Sequence, residues 1–130
     1  MNPTPSQHQA LAIKLFQEWE KGTLDADKIL ELFSADAKFF MQGPNHPPNT
    51  GHKQIKEGFE NIFKLLKDFS YRIVNVAENG NLMFTERVEK FVWVGKHNVE
   101  MGVVSVSEVG PDGKFVRWTD YSDSAPFMQS

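Results

Sequence analysis

The chain has 130 residues, 40% hydrophobic and 24% charged, a composition that fits one soluble globular domain with a single sizeable core. Its net charge of −3 gives no electrostatic footprint for nucleic acid, and no apolar run reaches the length of a membrane span. The absence of cysteine excludes disulfides and thiolate metal sites and leaves the redox compartment open, with cytoplasm the default expectation.

Residues 1–130 read as one domain, with 1–5 a flexible lead and 124–130 a tail whose Phe127 could close one end of a cavity. Leu11, Ala12, Leu15, Phe16 and Trp19 recur at helical spacing and predict a helix from Gln9 to Lys21, capped by Ser6 and stopped by Gly22. A shorter helix is expected from Asp25 to Phe33, with Ile29, Leu32 and Phe33 on one side. Ala37 to Met41 reads as a short strand. The Pro- and Gly-rich stretch from Gln42 to Gly51 is a loop where a cavity rim would lie. Its His46 and His52 have no acidic neighbour and read as solvated loop residues, not as metal ligands; His8 and His97 are isolated. Ile55, Phe59, Ile62, Phe63 and Leu66 predict a third amphipathic helix over His52 to Lys67, its lysines on a solvated face.

From Phe69 onward the period changes from helical to alternating. Four strands are expected, over Ser70–Glu78, Leu82–Val94, His97–Val109 and Lys114–Asp123, separated by turns at Asn79-Gly80-Asn81, Gly95-Lys96 and Pro111-Asp112-Gly113. Turns this short make the strands antiparallel neighbours. Helices packed on such a sheet give an α+β fold.

Two of these strands carry the chemistry. Side chains alternate faces on a strand, so Arg87 and Glu89 share a face with Phe91 and Trp93, and Asp120 shares one with Val116 and Trp118. Charges among large apolar groups are costly unless paired. If the two faces meet in one cavity, the order is carboxylate, guanidinium, carboxylate. A guanidinium can hold both carboxyls and keep their protonation states different, which supplies one general acid and one general base. One of Glu89 and Asp120 should then titrate well above its ordinary value while the other stays ionised against Arg87. The plainer reading of the same spacing is a structural ion pair in a half-buried sheet.

The segments Thr85-Glu86-Arg87-Val88-Glu89 and Trp118-Thr119-Asp120-Tyr121-Ser122-Asp123 resemble the Glu-Arg-x-Asp and Trp-x-Asp-Tyr-x-Asp motifs of limonene epoxide hydrolases. That family belongs to the nuclear transport factor 2-like, ketosteroid isomerase-like and polyketide cyclase-like superfamily. The resemblance implies a cone-shaped fold in which three helices of the N-terminal half pack on a strongly curved, mostly antiparallel sheet enclosing an apolar cavity. It also implies Arg87 as the bridging arginine, Asp120 as the base that activates water, and Glu89, where the family has Asp, as the acid on the epoxide oxygen. No metal or organic cofactor is implied. The family holds its water with a Tyr and an Asn two residues apart on the first strand, and Phe39 and Met41 stand at those positions here. Neither can replace the lost contacts, though Gln42 or Asn45 could substitute.

The lead expectation is therefore a cofactor-free acid–base enzyme, using Arg87, Glu89 and Asp120 to open an epoxide on a small apolar substrate. The cavity lining is read as Phe39, Met41, Phe63, Phe91, Met101, Val103 and Trp118. The alternatives are an isomerase or cyclase using the same carboxylates, and a binding protein for a small apolar ligand that has lost its water-positioning residues. A purely structural dimerisation domain ranks last. The opposite sheet face carries Phe84, Val88, Val92, Val104 and Val106, so a homodimer through the sheet is expected.

Overall fold

Ser6 opens the first helix: its hydroxyl accepts from the Gln9 amide at 3.0 Å, satisfying one of the donors that a helix start leaves unpaired. This computed structural model describes residues 6–95 and 97–123; Phe127 lies outside them. Helix α1 spans Gln7–Glu20 and buries Ala12, Leu15 and Phe16; Gly22, at φ 78°, turns the chain beyond it. Helix α2 is shorter than its apolar spacing suggests, Ala26–Leu30, with Asp25 as its cap. Phe33 does not extend it. That residue starts strand β1, Phe33–Phe40, because Phe115 donates its amide to Leu32 and opens a ladder with the last strand.

Strand β2 is the two residues Asn49–Thr50, and α3 follows at Gly51–Phe63. Gln54 reaches back to accept the Thr50 amide at 2.8 Å, anchoring the start of α3. The helix ends before Leu66. That residue begins β3, Leu66–Asn79, where it is buried opposite Trp93. Strands β4 (Leu82–Trp93), β5 (His97–Val109) and β6 (Phe115–Ser122) complete the sheet. Val94 belongs to the β4–β5 turn and not to a strand. Its φ of 48° is an uncommon angle for a β-branched residue.

The architecture is α+β, with a six-stranded sheet in the order β2-β1-β6-β5-β4-β3. The tight turns make β3, β4, β5 and β6 successive antiparallel neighbours. The pairing of β1 with β6 is parallel, a long-range contact that places Phe39 beside Trp118. Helix α1 lies over β3 and α3 over β1. Between the helices and the sheet, one buried cluster gathers Leu15, Phe16, Phe33, Phe39, Phe59 and Trp118; a second holds Leu66, Phe91 and Val99. Among the described residues no helix is long and apolar enough to cross a membrane.

Candidate active site

Strand alternation sends Met83, Thr85, Arg87, Glu89 and Phe91 to the covered face of β4, and all five are buried. On β6 the same rule sends Trp118 and Asp120 inward. The central strand, β5, contributes Ser105, which lies opposite Thr85 on one side and Asp120 on the other. The register therefore brings Arg87 and Glu89 of β4, Ser105 of β5, and Trp118 and Asp120 of β6 into one cluster.

Arg87 Nε donates to Glu89 Oε2 at 2.7 Å, Nη1 to Ser105 Oγ at 2.5 Å, and Nη2 to Asp120 Oδ1 at 3.4 Å. Asp120 Oδ1 also accepts from Ser105 Oγ at 2.5 Å and from Trp118 Nε1 at 2.7 Å. The guanidinium lies over the Phe16 ring. Only 4% of the Arg87 side chain is exposed, against 12% for Glu89 and 21% for Asp120. The pair of carboxyls around one buried guanidinium is the arrangement that the strand spacing suggests, with Asp120 nearest to solvent.

Burial pushes the Glu89 carboxyl above its ordinary value. The Arg87 guanidinium opposes this through its charge and its hydrogen bond, while the charge of Asp120 adds to the upward shift. Desolvation outweighs the ion pair because the surrounding wall is apolar. Glu89 is thus the carboxyl that sequence alone left unassigned between the two.

The cluster opens into a cavity of about 980 Å³. Phe39, Met41, Phe91, Met101, Val103 and Trp118 line it, together with Arg87, Glu89 and Asp120. Phe63 does not. It sits at the end of α3 with its ring 5.6 Å from that of Trp19, and the helix turns Phe59 and Ile62 to the cavity instead. Phe16 and Trp19, whose spacing marks them only as apolar helix positions, also line the cavity, as does Phe69.

The loop after β1 supplies polar lining through Gln42, Asn45 and His46, as a rim position would. His52 turns away, its Nε2 2.9 Å from the Phe33 carbonyl. Phe39 stacks nearly parallel on Trp118 with centroids 5.9 Å apart, and its hydrocarbon ring brings no polar atom to the cavity wall. Ser105 was not legible as a site residue: a serine on a strand has no spacing signature, and only the register gives it two charged neighbours. No group of three or more metal-ligating side chains occurs among the described residues.

A family model for the SnoaL-like domain matches residues 12–118. The chain belongs to this SnoaL-like family, within the nuclear transport factor 2-like superfamily. No curated protein matches it in sequence. Among solved structures, an LEH-like epoxide hydrolase of M. tuberculosis superposes with a TM-score of 0.76 at 18% identity, covering 97% of this chain and 90% of that one. A SnoaL-like polyketide cyclase from Jannaschia gives 0.81 at 16%, covering 98% and 94%. An epoxide hydrolase/cyclase-like enzyme of pyran ring formation in the polyether salinomycin gives 0.76 at 15%, covering 90% and 91%. At such identities the SnoaL-like chain shares a fold with these proteins, and its chemistry has to be argued from its own residues.

Proposed function

We propose that this SnoaL-like protein is a cytoplasmic, cofactor-free acid–base enzyme acting on a small, uncharged, apolar substrate held between a strongly curved, cone-shaped sheet and its three helices. Glu89 is the general acid, Asp120 the general base, and Arg87 holds both. The observation that carries this reading is a carboxyl raised by burial, 2.7 Å from a guanidinium that also contacts a second carboxylate, on the wall of an apolar cavity.

The lead reaction is epoxide opening by water. Asp120 takes a proton from water at its Oδ2, which accepts no hydrogen bond from any described residue. The water oxygen bonds to a ring carbon as the carbon–oxygen bond breaks, and Glu89 gives its proton to the departing oxygen. The product is a diol. Asp120 leaves protonated and Glu89 ionised, and proton exchange with solvent resets them.

A second reading is isomerisation or ring closure by the same carboxylates. Phe39 and Met41 favour it: a substrate that carries its own nucleophile needs no positioned water. The SnoaL-like family match and the cyclase neighbours support the same direction. The working unit is a homodimer joined through the outer sheet face.

The test is product formation from cyclohexene oxide and from hydroxy-epoxides able to close a ring, comparing wild type with Asp120→Asn and Glu89→Gln. Diol supports the lead reading, and cyclic ether the second. Tight binding of apolar ligands with no product, unchanged in both variants, would leave a binding protein.

A further inference from the structure

Strand β5 runs between the strand of Arg87 and Glu89 and the strand of Asp120, with Ser105 directly opposite Asp120. Ser105 is 1% exposed and is not among the residues that line the cavity. Its hydroxyl accepts from Arg87 Nη1 and donates to Asp120 Oδ1, both at 2.5 Å. The direct contact between Arg87 and Asp120 is longer, at 3.4 Å.

An arginine beside an aspartate commonly pairs fork to fork, with two nitrogens on two carboxylate oxygens. Here the serine oxygen fills the place between them. Arg87, Ser105 and Trp118 all donate to Oδ1, while Oδ2 receives no bond from a described residue. A neutral hydroxyl between two charges therefore does more than satisfy them. It sets which oxygen of Asp120 is engaged.

We infer that Ser105 is a positioning residue whose hydroxyl keeps Arg87 from closing a two-bonded pair with Asp120 and so leaves Oδ2 to take the proton. This rests on Asp120 being the base. Without the hydroxyl, the guanidinium moves in, both oxygens are occupied, and the base is spent on structure. The hydroxyl is what matters, not the volume, so Thr should serve where Ala does not.

Two measurements test this on the full chain. The first is a set of crystal structures of wild type, Ser105→Ala and Ser105→Thr. In the alanine variant the guanidinium should contact both Asp120 oxygens at about 3.0 Å or less. In the threonine variant the single-oxygen arrangement should persist. The second is turnover of cyclohexene oxide. Here kcat should fall about 100-fold in Ser105→Ala, the scale of a misplaced base, while KM stays within about twofold and Ser105→Thr recovers most of the rate.

An alanine variant in which Oδ2 stays clear of Arg87, or a threonine variant that behaves like alanine, would overturn the inference. Should the alanine chain fail to fold, Ser105→Cys keeps the volume with only a weak donor, and the same two outcomes decide. A wild type without turnover counts against the acid–base reading alone; the crystal structures still decide the placement of Oδ2.

Discussion

The guanidinium of Arg87 sits on the face of Phe16, 4.6 Å from the ring centroid. The same ring meets Tyr71 at 5.1 Å and the edge of Trp118 at 5.8 Å. One α1 side chain thus supports both the charged and the aromatic parts of the site. Phe16→Leu keeps most of the apolar contact and removes the ring's negative face, worth about 0.5–2 kcal/mol to a desolvated cation. With some loss of packing, denaturant unfolding should show about 1–2 kcal/mol less stability. In an Arg87→Met background the loss should be smaller. An equal loss in both would mean that the ring acts only by filling space.

Glu89 gives a pH dependence whose sign is fixed. Its folded-state value is raised above 4.5, so the folded chain holds that proton more tightly than the unfolded one. The resulting stabilisation is full below pH 4.5 and is lost as pH rises through the raised value. Glu89→Gln keeps an acceptor for Arg87 but does not titrate. The stability of wild type relative to Glu89→Gln should therefore fall with rising pH across that window and level off above it. Urea unfolding at a series of pH values measures this, and a difference flat with pH would mean that the carboxyl is not raised.

Half of the charged cluster is legible because alternation on a strand is a local rule: Arg87 and Glu89, two apart, must share a face. The turns at Gly80 and Gly113, both at positive φ, were legible for the same reason. What local rules missed was decided at long range. Phe33 and Leu66 continue helical spacing in sequence, yet each is claimed by a strand, one paired with Phe115 and the other with Trp93. The parallel pairing of β1 with β6 leaves no mark in either segment alone. Ser105 acquires its two charged neighbours only from the registers of β4 and β6.

His8 shows the same limit and yields a second pH effect. It reads as isolated in sequence, but in the fold its Nε2 lies 2.8 Å from Ser107 Oγ, and its buried Nδ1 has no partner among the described residues. Burial lowers its pKa below 6.5, with Glu78 opposing. A lowered value means that the neutral ring stabilises the fold above pH 6.5 and that this is lost as pH falls through the folded value. His8→Phe ends the titration but leaves the Ser107 hydroxyl buried without its partner, a cost of about 1–3 kcal/mol. Wild type should be the more stable at pH 7.5, by an amount that shrinks at pH 5. Thermal unfolding at the two pH values measures the gap; one of constant width would show that His8 does not titrate in this range.

The outer sheet face bears on assembly. Phe84 is 43% exposed and pairs across strands with Val106, while Val104, 36% exposed, pairs with Tyr121, 47% exposed. Val88 and Val92 continue the strip, half-buried. Glu86 and Lys90 interrupt this face on β4, and a second copy laid sheet to sheet would cover its exposed apolar groups. Light scattering at micromolar concentration should give twice the chain mass. Val104→Lys with Phe84→Glu should give a folded monomer. A monomeric wild type would refute the pairing.

Phe39 and Met41 stand, by the resemblance to limonene epoxide hydrolases, where that family carries its water-holding Tyr and Asn. Phe39 is fixed by its stack on Trp118 and by an edge-on contact with Phe59 at 5.0 Å, so a Tyr ring can take the same position. Met41 lies close to α3, its Cε 2.9 Å from where a Cβ on Gly58 would stand, and the shorter Asn fits beside that helix. The double change Phe39→Tyr with Met41→Asn adds a hydroxyl and an amide to an apolar wall, at about 1–3 kcal/mol each where unpaired. Asp120 and the bound water offset part of that. Positioning the nucleophile is worth several orders of magnitude in favourable cases, so diol formation from cyclohexene oxide should rise at least about 100-fold over wild type. Adding Asp120→Asn should abolish the gain. Ready diol formation by wild type would mean that Gln42 or Asn45, both on the cavity wall, already holds the water. A folded double variant that makes no diol would count against epoxide hydrolysis and leave ring closure, isomerisation or binding.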